Sequence, residues 1–406
     1  MTLCLICNNS IESFLSFGQM PIANGFLTPE LFEKEIFYEL KVGHCPHCQM
    51  VQLTELVDPS QLFHENYAYF SSISVHMSQH FKLFAEMVQQ HYMPDPDAFV
   101  VEIGSNDGIM LQNFAQANRR HLGIEPSANV AKAAQEKGVQ TVSRFFNEET
   151  AVSVRQEYGL ADVILGANVV CHLPNIHSVL HGVQQLLKEK GVFIFEEPYL
   201  GDIIAQTAYD QIYDEHVFYF SLHSLSHLFN RYDMEIIDIA PQNVHGGSMR
   251  YVVARQGRHP VQPAVRTQWV REEEIGLGQP ETYTAFCQRI YQSRQQLVDL
   301  LGDLKRLDQR IVGYGATSKS TTVINFCGLG PEEIDYISDT TPGKQGKYSP
   351  GVHIPVLPYE RFVATYPDFA LLFAWNHKQE IMAKEEIFRQ RGGKFIVYVP
   401  SVQILA

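Results

Sequence analysis

The sequence predicts an α/β chain in which a small cysteine-rich module precedes two Rossmann-like units. Three observations carry this. Two Cys-x-x-Cys pairs stand near the N-terminus, short apolar runs alternate with helical stretches from Phe99 onward, and a second glycine-bounded strand end begins near Ile311. With 406 residues the chain exceeds one ordinary core, and its 45% hydrophobic content supports packed domains. The expected division is a cysteine-rich module over 1–70, a first α/β domain over 71–260, a helical connector over 261–308 and a C-terminal α/β domain over 309–406.

The N-terminal pairs are Cys4-Leu-Ile-Cys7 and Cys45-Pro-His-Cys48. Four thiolates in two close pairs can close a tetrahedral shell around Zn²⁺, a structural site with no open position for substrate. Redox dithiols and a disulfide-stapled module are the alternatives. His44 and His47 could substitute as ligands, but the complete set of four cysteines favours reading them as neighbours. Ile36–Val42 and Met50–Leu53 alternate as small strands around the second pair. Ser71–Met93 follows as a helix, with Val75, Phe81, Phe84 and Met87 mostly at helical spacings, and Pro94-Asp95-Pro96-Asp97 ends it.

The first α/β unit starts with Phe99–Ile103, continues through His121–Glu125, Ala161–Ala167 and Gly191–Glu196, and ends in two late strands, Met234–Ile239 and Met249–Ala254. Alternation of this kind predicts a mostly parallel, doubly wound sheet. Gln262–Gln309 is polar and helix-prone, with an apolar stripe of Leu297, Val298, Leu300, Leu301 and Leu304. The second unit begins with Ile311-Val-Gly-Tyr-Gly-Ala316, and its further strands are expected at Ile334–Ile337, Phe369–Ala374 and Phe395–Val399.

Glu102-Ile-Gly104-Ser-Asn106-Asp107-Gly108 lies where the first strand meets a helix. Gly104 and Gly108 permit a tight turn and close backbone approach. Asn106 takes the place of the glycine that makes room for a pyrophosphate, which argues against NAD or FAD. Glu102 and Asp107 would repel phosphate yet accept hydrogen bonds from an amino group. Glu125, at the end of the second strand, can grip ribose hydroxyls. These residues, with Asn168 beyond the fourth strand, favour S-adenosylmethionine (SAM); another nucleoside ligand is the alternative. Two further segments, Asn168–His172 and Tyr213-Asp-Glu215-His216, bring protonatable groups to the same sheet edge. Histidine takes a proton near neutral pH, and tyrosine donates to a developing oxyanion. Tyr67 and Tyr69 are candidates to reach the same cleft.

A net charge of −14 argues against a broad nucleic-acid surface. The absence of a long apolar run and of a signal-peptide profile leads to the expectation of a cytoplasmic protein without membrane contact.

With the zinc knuckles, the residues Glu102–Met110, Tyr213–His216, Val312–Lys319 and Asp339–Pro342 resemble the zinc-containing, SAM-dependent sugar C-methyltransferases that build branched deoxysugars. The match is close to the C-3′-methylating members of D-tetronitrose biosynthesis and extends over essentially the whole chain. The resemblance implies His216 as general base, with Tyr213, Glu215 and His172 beside it and an N-terminal tyrosine at Tyr67 or Tyr69, Tyr67 being favoured. It implies a nucleotide-linked 4-keto-6-deoxyhexose as substrate, methylated at C-3′, with thymidine and guanosine both admitted. The C-terminal domain is then expected to meet the diphosphate through Gly313, Tyr314, Gly315 and Ala316, with Lys319 and Lys344 adding charge. An O- or N-methyltransferase and a noncatalytic nucleotide-sugar-binding protein are the competing readings. The oligomeric state stays open, a monomer included.

Overall fold

The computed structural model describes residues 2–62, 71 and 75–406. Strands β1 (Thr2–Leu3), β2 (Ser10–Pro21), β3 (Phe37–His44) and β4 (Val51–Leu53) form an antiparallel N-terminal sheet. Ile11, Leu15, Phe17 and Met20 of β2 are buried against it. The sequence analysis did not anticipate β2. Its register slips between Ser13 and Leu15 and again between Ser16 and Gln19, so its inward residues lose the strict period of two.

A long helix, Val75–Tyr92, leads into β5 (Phe99–Ile103), β6 (Arg120–Ile124), β7 (Thr141–Val142), β8 (Ala161–Ala167) and β9 (Leu187–Pro198). The chain then lends β10 (Phe218–Tyr219) to the N-terminal sheet, antiparallel to β4. It returns for β11 (Met234–Gln242) and β12 (Ser248–Arg255). The central sheet has the order β11-β12-β9-β8-β5-β6-β7, and β12 runs antiparallel to both of its neighbours. Each inner strand is buried on both faces, as in β5, where all five residues are buried. The expected helical connector is two helices, Pro263–Glu274 and Pro280–Arg306, the second burying Leu297, Leu301 and Leu304.

The C-terminal sheet comprises β13 (Ile311–Tyr314), β14 (Ile337–Asp339), β15 (Val356–Pro358), β16 (Phe369–Leu372), β17 (Lys394–Val397) and β18 (Gln403–Leu405). Its order is β15-β14-β13-β16-β17-β18, parallel except for β18. Each Rossmann-like sheet reverses its strand order beside its first strand, at β5/β8 and at β13/β16. The carboxyl ends at such switch points form crevices. The N-terminal module clasps both units. Thr321 Oγ1 donates to the Ala23 carbonyl at 2.8 Å, the Tyr348 amide to the Leu27 carbonyl at 2.9 Å, and His353 Nε2 lies 2.8 Å from Glu35 Oε2 while its ring stacks on Phe32. Among the described residues no helix is long and apolar enough to cross a membrane.

Candidate active site and metal centre

The four knuckle cysteines converge where β1–β2 and β3–β4 turn. Cys4 Sγ lies 3.5 Å from Cys48 Sγ and Cys7 Sγ 3.5 Å from Cys45 Sγ, with all four sulfurs within 4.8 Å of one another. A tetrahedral ZnS₄ centre with bonds of about 2.3 Å has sulfur–sulfur edges of roughly 3.8 Å, so the donor set fits the ion. The Ile6 amide and Asn9 Nδ2 point at Cys4 and Cys7 sulfurs at 3.4 and 3.3 Å, the arrangement that steadies thiolates.

One cleft joins the three parts of the chain. It is lined by Asn24 from the N-terminal module, by Gly104, Asn106, Glu125, Asn168, His172, Tyr213, Glu215 and His216 from the central unit, and by Ala316, Lys319, Asp339, Lys344 and Asn376 from the C-terminal unit. Gly104 has φ +63°, and a Cβ there would stand 2.4 Å from Val169 Cγ2, so the turn needs glycine. The Asn106 amide donates to Glu125 Oε2 at 3.0 Å and the Ser127 amide to Glu125 Oε1 at 2.8 Å, which locks the acid at the mouth of the turn. Burial raises the Glu125 carboxyl above its usual range. Glu102 lies beneath the turn. Burial, then the charges of Glu125 and Asp107, push its carboxyl well up, and its Oε2 has no hydrogen-bond partner among the described residues. A buried acceptor of this kind, beside further carboxylates, fits a cationic ligand with an amino group.

Two expected cofactor residues sit elsewhere. Asp107 does not line the cleft and pairs with Lys137 Nζ at 2.9 Å. Gly108 packs under Val139 and Ala134 rather than lining the cleft.

His216 is buried but lines the cleft, and its neighbours define its tautomer. Nδ1 lies 2.8 Å from the Gln211 carbonyl, which can only accept, so Nδ1 carries the proton. Nε2 therefore holds the lone pair, and it faces the Tyr213 hydroxyl at 2.8 Å. Burial, reinforced by His172 nearby, holds His216 well below the usual imidazole range, and burial takes His172 to about 4. The two rings are 5.1 Å apart. Both are neutral at pH 7, and His216 is free of the proton that would disable a base. Glu215 Oε1 accepts from Asn24 Nδ2 at 2.7 Å, and Asn24 Oδ1 accepts in turn from Lys344 Nζ at 3.2 Å. The adjacent Asp214 is pushed up to about 8 by burial and by Glu215.

On the C-terminal wall, Lys319 and Lys344 face the cleft. Burial lowers both, against the charges of Asp210 for Lys319 and of Asp339 and Glu215 for Lys344. The expected cradle of turn amides is otherwise employed. The Gly313 amide donates to Tyr336, Gly315 to Ser338 and Ala316 to Asp339 Oδ2 at 2.6 Å. Tyr314 points into the domain core, its hydroxyl on Glu385 Oε1 at 2.7 Å. Gly313, Tyr314 and Gly315 thus do not line the cleft; they shape the strand end, and a Cβ on Gly313 would meet Phe373 at 2.7 Å. Ala316, Thr317, Ser318 and Lys319 present the helix start instead. Tyr67 and Tyr69 lie outside the described residues.

Sequence reasoning missed Asn24, His245 and Asn376, and singled out Asp339 only as part of a family motif, without a role. His245 Nε2 lies 3.3 Å from Asn168 Nδ2, and burial and Lys319 take its ring to about 3. A signal existed in His245-Gly246-Gly247, since Gly246 at φ +88° leaves room for the Trp375 ring, which a Cβ would touch at 2.3 Å.

Comparison with known proteins bears on this geometry. A family model for a C-methyltransferase C-terminal domain matches residues 243–400, one for a zinc binding domain matches 4–63, and one for a methyltransferase domain matches 78–239. C-methyltransferase NovU of Streptomyces niveus is 35% identical over 407 residues, spanning 99% of this chain and 96% of its own. The chain belongs to this C-methyltransferase family. It is a SAM-dependent enzyme with an N-terminal zinc-binding domain. Among solved structures, a SAM-dependent methyltransferase of Anabaena variabilis is 15% identical, with 43% of this chain and 84% of that one covered and a TM-score of 0.35. The SAM-bound magnesium protoporphyrin IX methyltransferase of Synechocystis is 12% identical, with coverage of 48% and 89% and a TM-score of 0.34.

Proposed function

We propose that this C-methyltransferase acts at C-3′ of a nucleotide-linked 4-keto-6-deoxyhexose in branched deoxysugar biosynthesis, with His216 as base. One observation carries the reading. A neutral, buried imidazole with its lone pair on Nε2 stands between a carboxylate-lined glycine turn and two lysines, Lys344 buried and Lys319 half-buried. Carbon, unlike oxygen or nitrogen, offers no lone pair to a methyl donor and must first lose a proton. A keto group at C-4′ makes the C-3′ hydrogen acidic enough for an imidazole to remove.

In this reading Glu102, Gly104, Asn106, Glu125 and Asn168 hold SAM, whose sulfonium supplies an electrophilic methyl group. His216 Nε2 takes the C-3′ proton, and the C–H electron pair moves into an enolate. Tyr213 turns its hydroxyl from Nε2 to the enolate oxygen, with His172 on the same side, and each such donor is worth about 3 kcal/mol in a preorganised site. Glu215, held by Asn24, fixes a sugar hydroxyl. Lys319 and Lys344 neutralise the diphosphate, and closure around the cleft excludes water. The Cys4, Cys7, Cys45 and Cys48 zinc takes no part in the chemistry and maintains the clasp that brings the two units together.

The test is solvent deuterium exchange at C-3′ of a thymidine- or guanosine-linked 4-keto-6-deoxysugar, followed by product NMR after SAM is added. Wild type exchanges and then forms a carbon-bound methyl group. His216→Ala loses about 10²- to 10⁴-fold in both, with S-adenosylhomocysteine binding retained. Methyl transfer to oxygen or nitrogen would overturn the reading, and undiminished exchange in the variant would move the base to His172.

A further inference from the structure

Asp210 is fully buried on the short turn Tyr209–Gln211, and nothing in the proposed chemistry employs it. Its Oδ2 accepts from Trp375 Nε1 at 2.6 Å and from the Tyr398 hydroxyl at 2.8 Å, both from the C-terminal unit. The next residue, Gln211, supplies the carbonyl that fixes His216 Nδ1 at 2.8 Å, and its Nε2 donates to the His245 carbonyl. Trp375 packs on Gly246 and directly precedes Asn376, whose Oδ1 accepts from Lys319 Nζ at 3.3 Å. A single carboxylate therefore joins the segments that follow β16 and β17 to the peptide that orients the imidazole.

We propose that Asp210 is a positioning residue that couples the seating of the C-terminal unit to the tautomer and orientation of His216. The proposal rests on the reading of His216 as base. Two donors on one carboxylate oxygen restrain the Asp210–Gln211 segment, and the direction of the Gln211 carbonyl then decides which ring nitrogen holds the proton. When the C-terminal unit shifts and Trp375 and Tyr398 leave Asp210, the carbonyl is released and Nε2 no longer presents its lone pair in a fixed direction. The base is thus assembled only when the wall that carries Lys319 is in place. The charged and titratable groups facing this chain include Lys319, which sees both Asp210 and His216, Tyr209 and Tyr398, which see Asp210, and His172 and His245, which see His216.

The experiment uses full-length, zinc-loaded protein and the variants Asp210→Asn, Trp375→Phe and Tyr398→Phe. Three quantities are read: kcat against KM for C-3′ exchange, the ring ¹⁵N shifts of His216, and calorimetric binding of S-adenosylhomocysteine. Asp210→Asn is expected to lower kcat for exchange by about tenfold or more, the scale of one charge-assisted hydrogen bond. The His216 signals should change from one Nδ1-protonated tautomer to a mixture, while S-adenosylhomocysteine affinity stays unchanged. The two single-donor variants fall between. A rise in KM alone, with kcat and tautomer preserved, would overturn the proposal and leave Asp210 as a counter-ion to Lys319. Parallel losses of kcat and S-adenosylhomocysteine affinity would overturn it as well, in favour of a general packing role. If Asp210→Asn does not fold, Tyr398→Phe, which keeps the ring and removes one donor, decides by the same readouts. Absence of exchange in wild type would defeat the base assignment itself, whereas the tautomer measurement reports on Asp210 whether or not exchange occurs.

Discussion

The two glycine-bounded turns are built alike. Each follows the first strand of a parallel sheet, opens a helix, and offers an amide to an acid at the end of the second strand: Asn106 to Glu125, and Ala316 to Asp339. They differ in what stands around them. Glu102 lies under the first, with Glu125 at its mouth, whereas Lys319 and Lys344 flank the second. In our proposal a shared backbone device is thus fitted to ligands of opposite charge by a few side chains, a positive sulfonium and amino group at one and a diphosphate at the other. Sheet topology places the crevices, and local charge selects their occupants.

The N-terminal module clasps both units, which also meet directly through Asp210 and Ile212, and breaking that clasp is the largest perturbation considered. Cys45→Ser removes one of four ligands from a site whose metal binding contributes on the order of 10–16 kcal/mol in small zinc folds. Zinc content should fall from about one per chain, and the N-terminal sheet, which includes β10 just beyond His216, should unfold first. Metal analysis and limited proteolysis read these losses. Unchanged zinc content would remove the cysteines from the site.

The contrast in charge is sharpened by crossing substitutions between the turns. Glu125→Ala should weaken S-adenosylhomocysteine by about ten- to a hundredfold, the scale of hydrogen bonds to a charged group, with the KM for nucleotide sugar little changed. Lys319→Met should do the reverse and raise that KM by about tenfold. Calorimetry and steady-state kinetics on both variants separate the two. If either substitution affected both ligands equally, the turns would not be independent sites.

Much of this was legible in the sequence, and the exceptions share a cause. The cysteine pairs and the strands of both Rossmann-like sheets, except the short β7, β15 and β18, follow from spacing and periodicity, which act over a few residues, whereas the pairing of His216 with Tyr213 was implied by the family resemblance. Asn24, Asp339, His245 and Trp375 gain their meaning from partners tens to hundreds of residues away, such as the 320-residue separation of Asn24 and Lys344. The β2 strand was obscured by its two register slips. The second turn misled because its glycines do resemble a phosphate cradle. Only tertiary structure reveals that Asp339 and neighbouring carbonyls already occupy its amides.

The smallest effect concerns His216, the proposed base between the turns. Its proton affinity is lowered by burial first, and then by His172, Lys319 and His245, with the Gln211 carbonyl acting in the opposite sense. A depressed imidazole stays neutral as pH falls through the ordinary value near 6.5, where an exposed histidine would be half protonated. Exchange at C-3′ should therefore remain nearly level from pH 7.5 to 6 and decline only at lower pH. Lys319→Met removes one cation from the His216 environment, so the acidic limb should move upward, by less than about one unit for a charge with Asp210 close by. Rate profiles at saturating substrate read the shift apart from the change in KM. An acidic limb at 6.5 or above in wild type would show that the base is solvated in the working enzyme. A downward shift in Lys319→Met would show that the second turn's charge does not reach it.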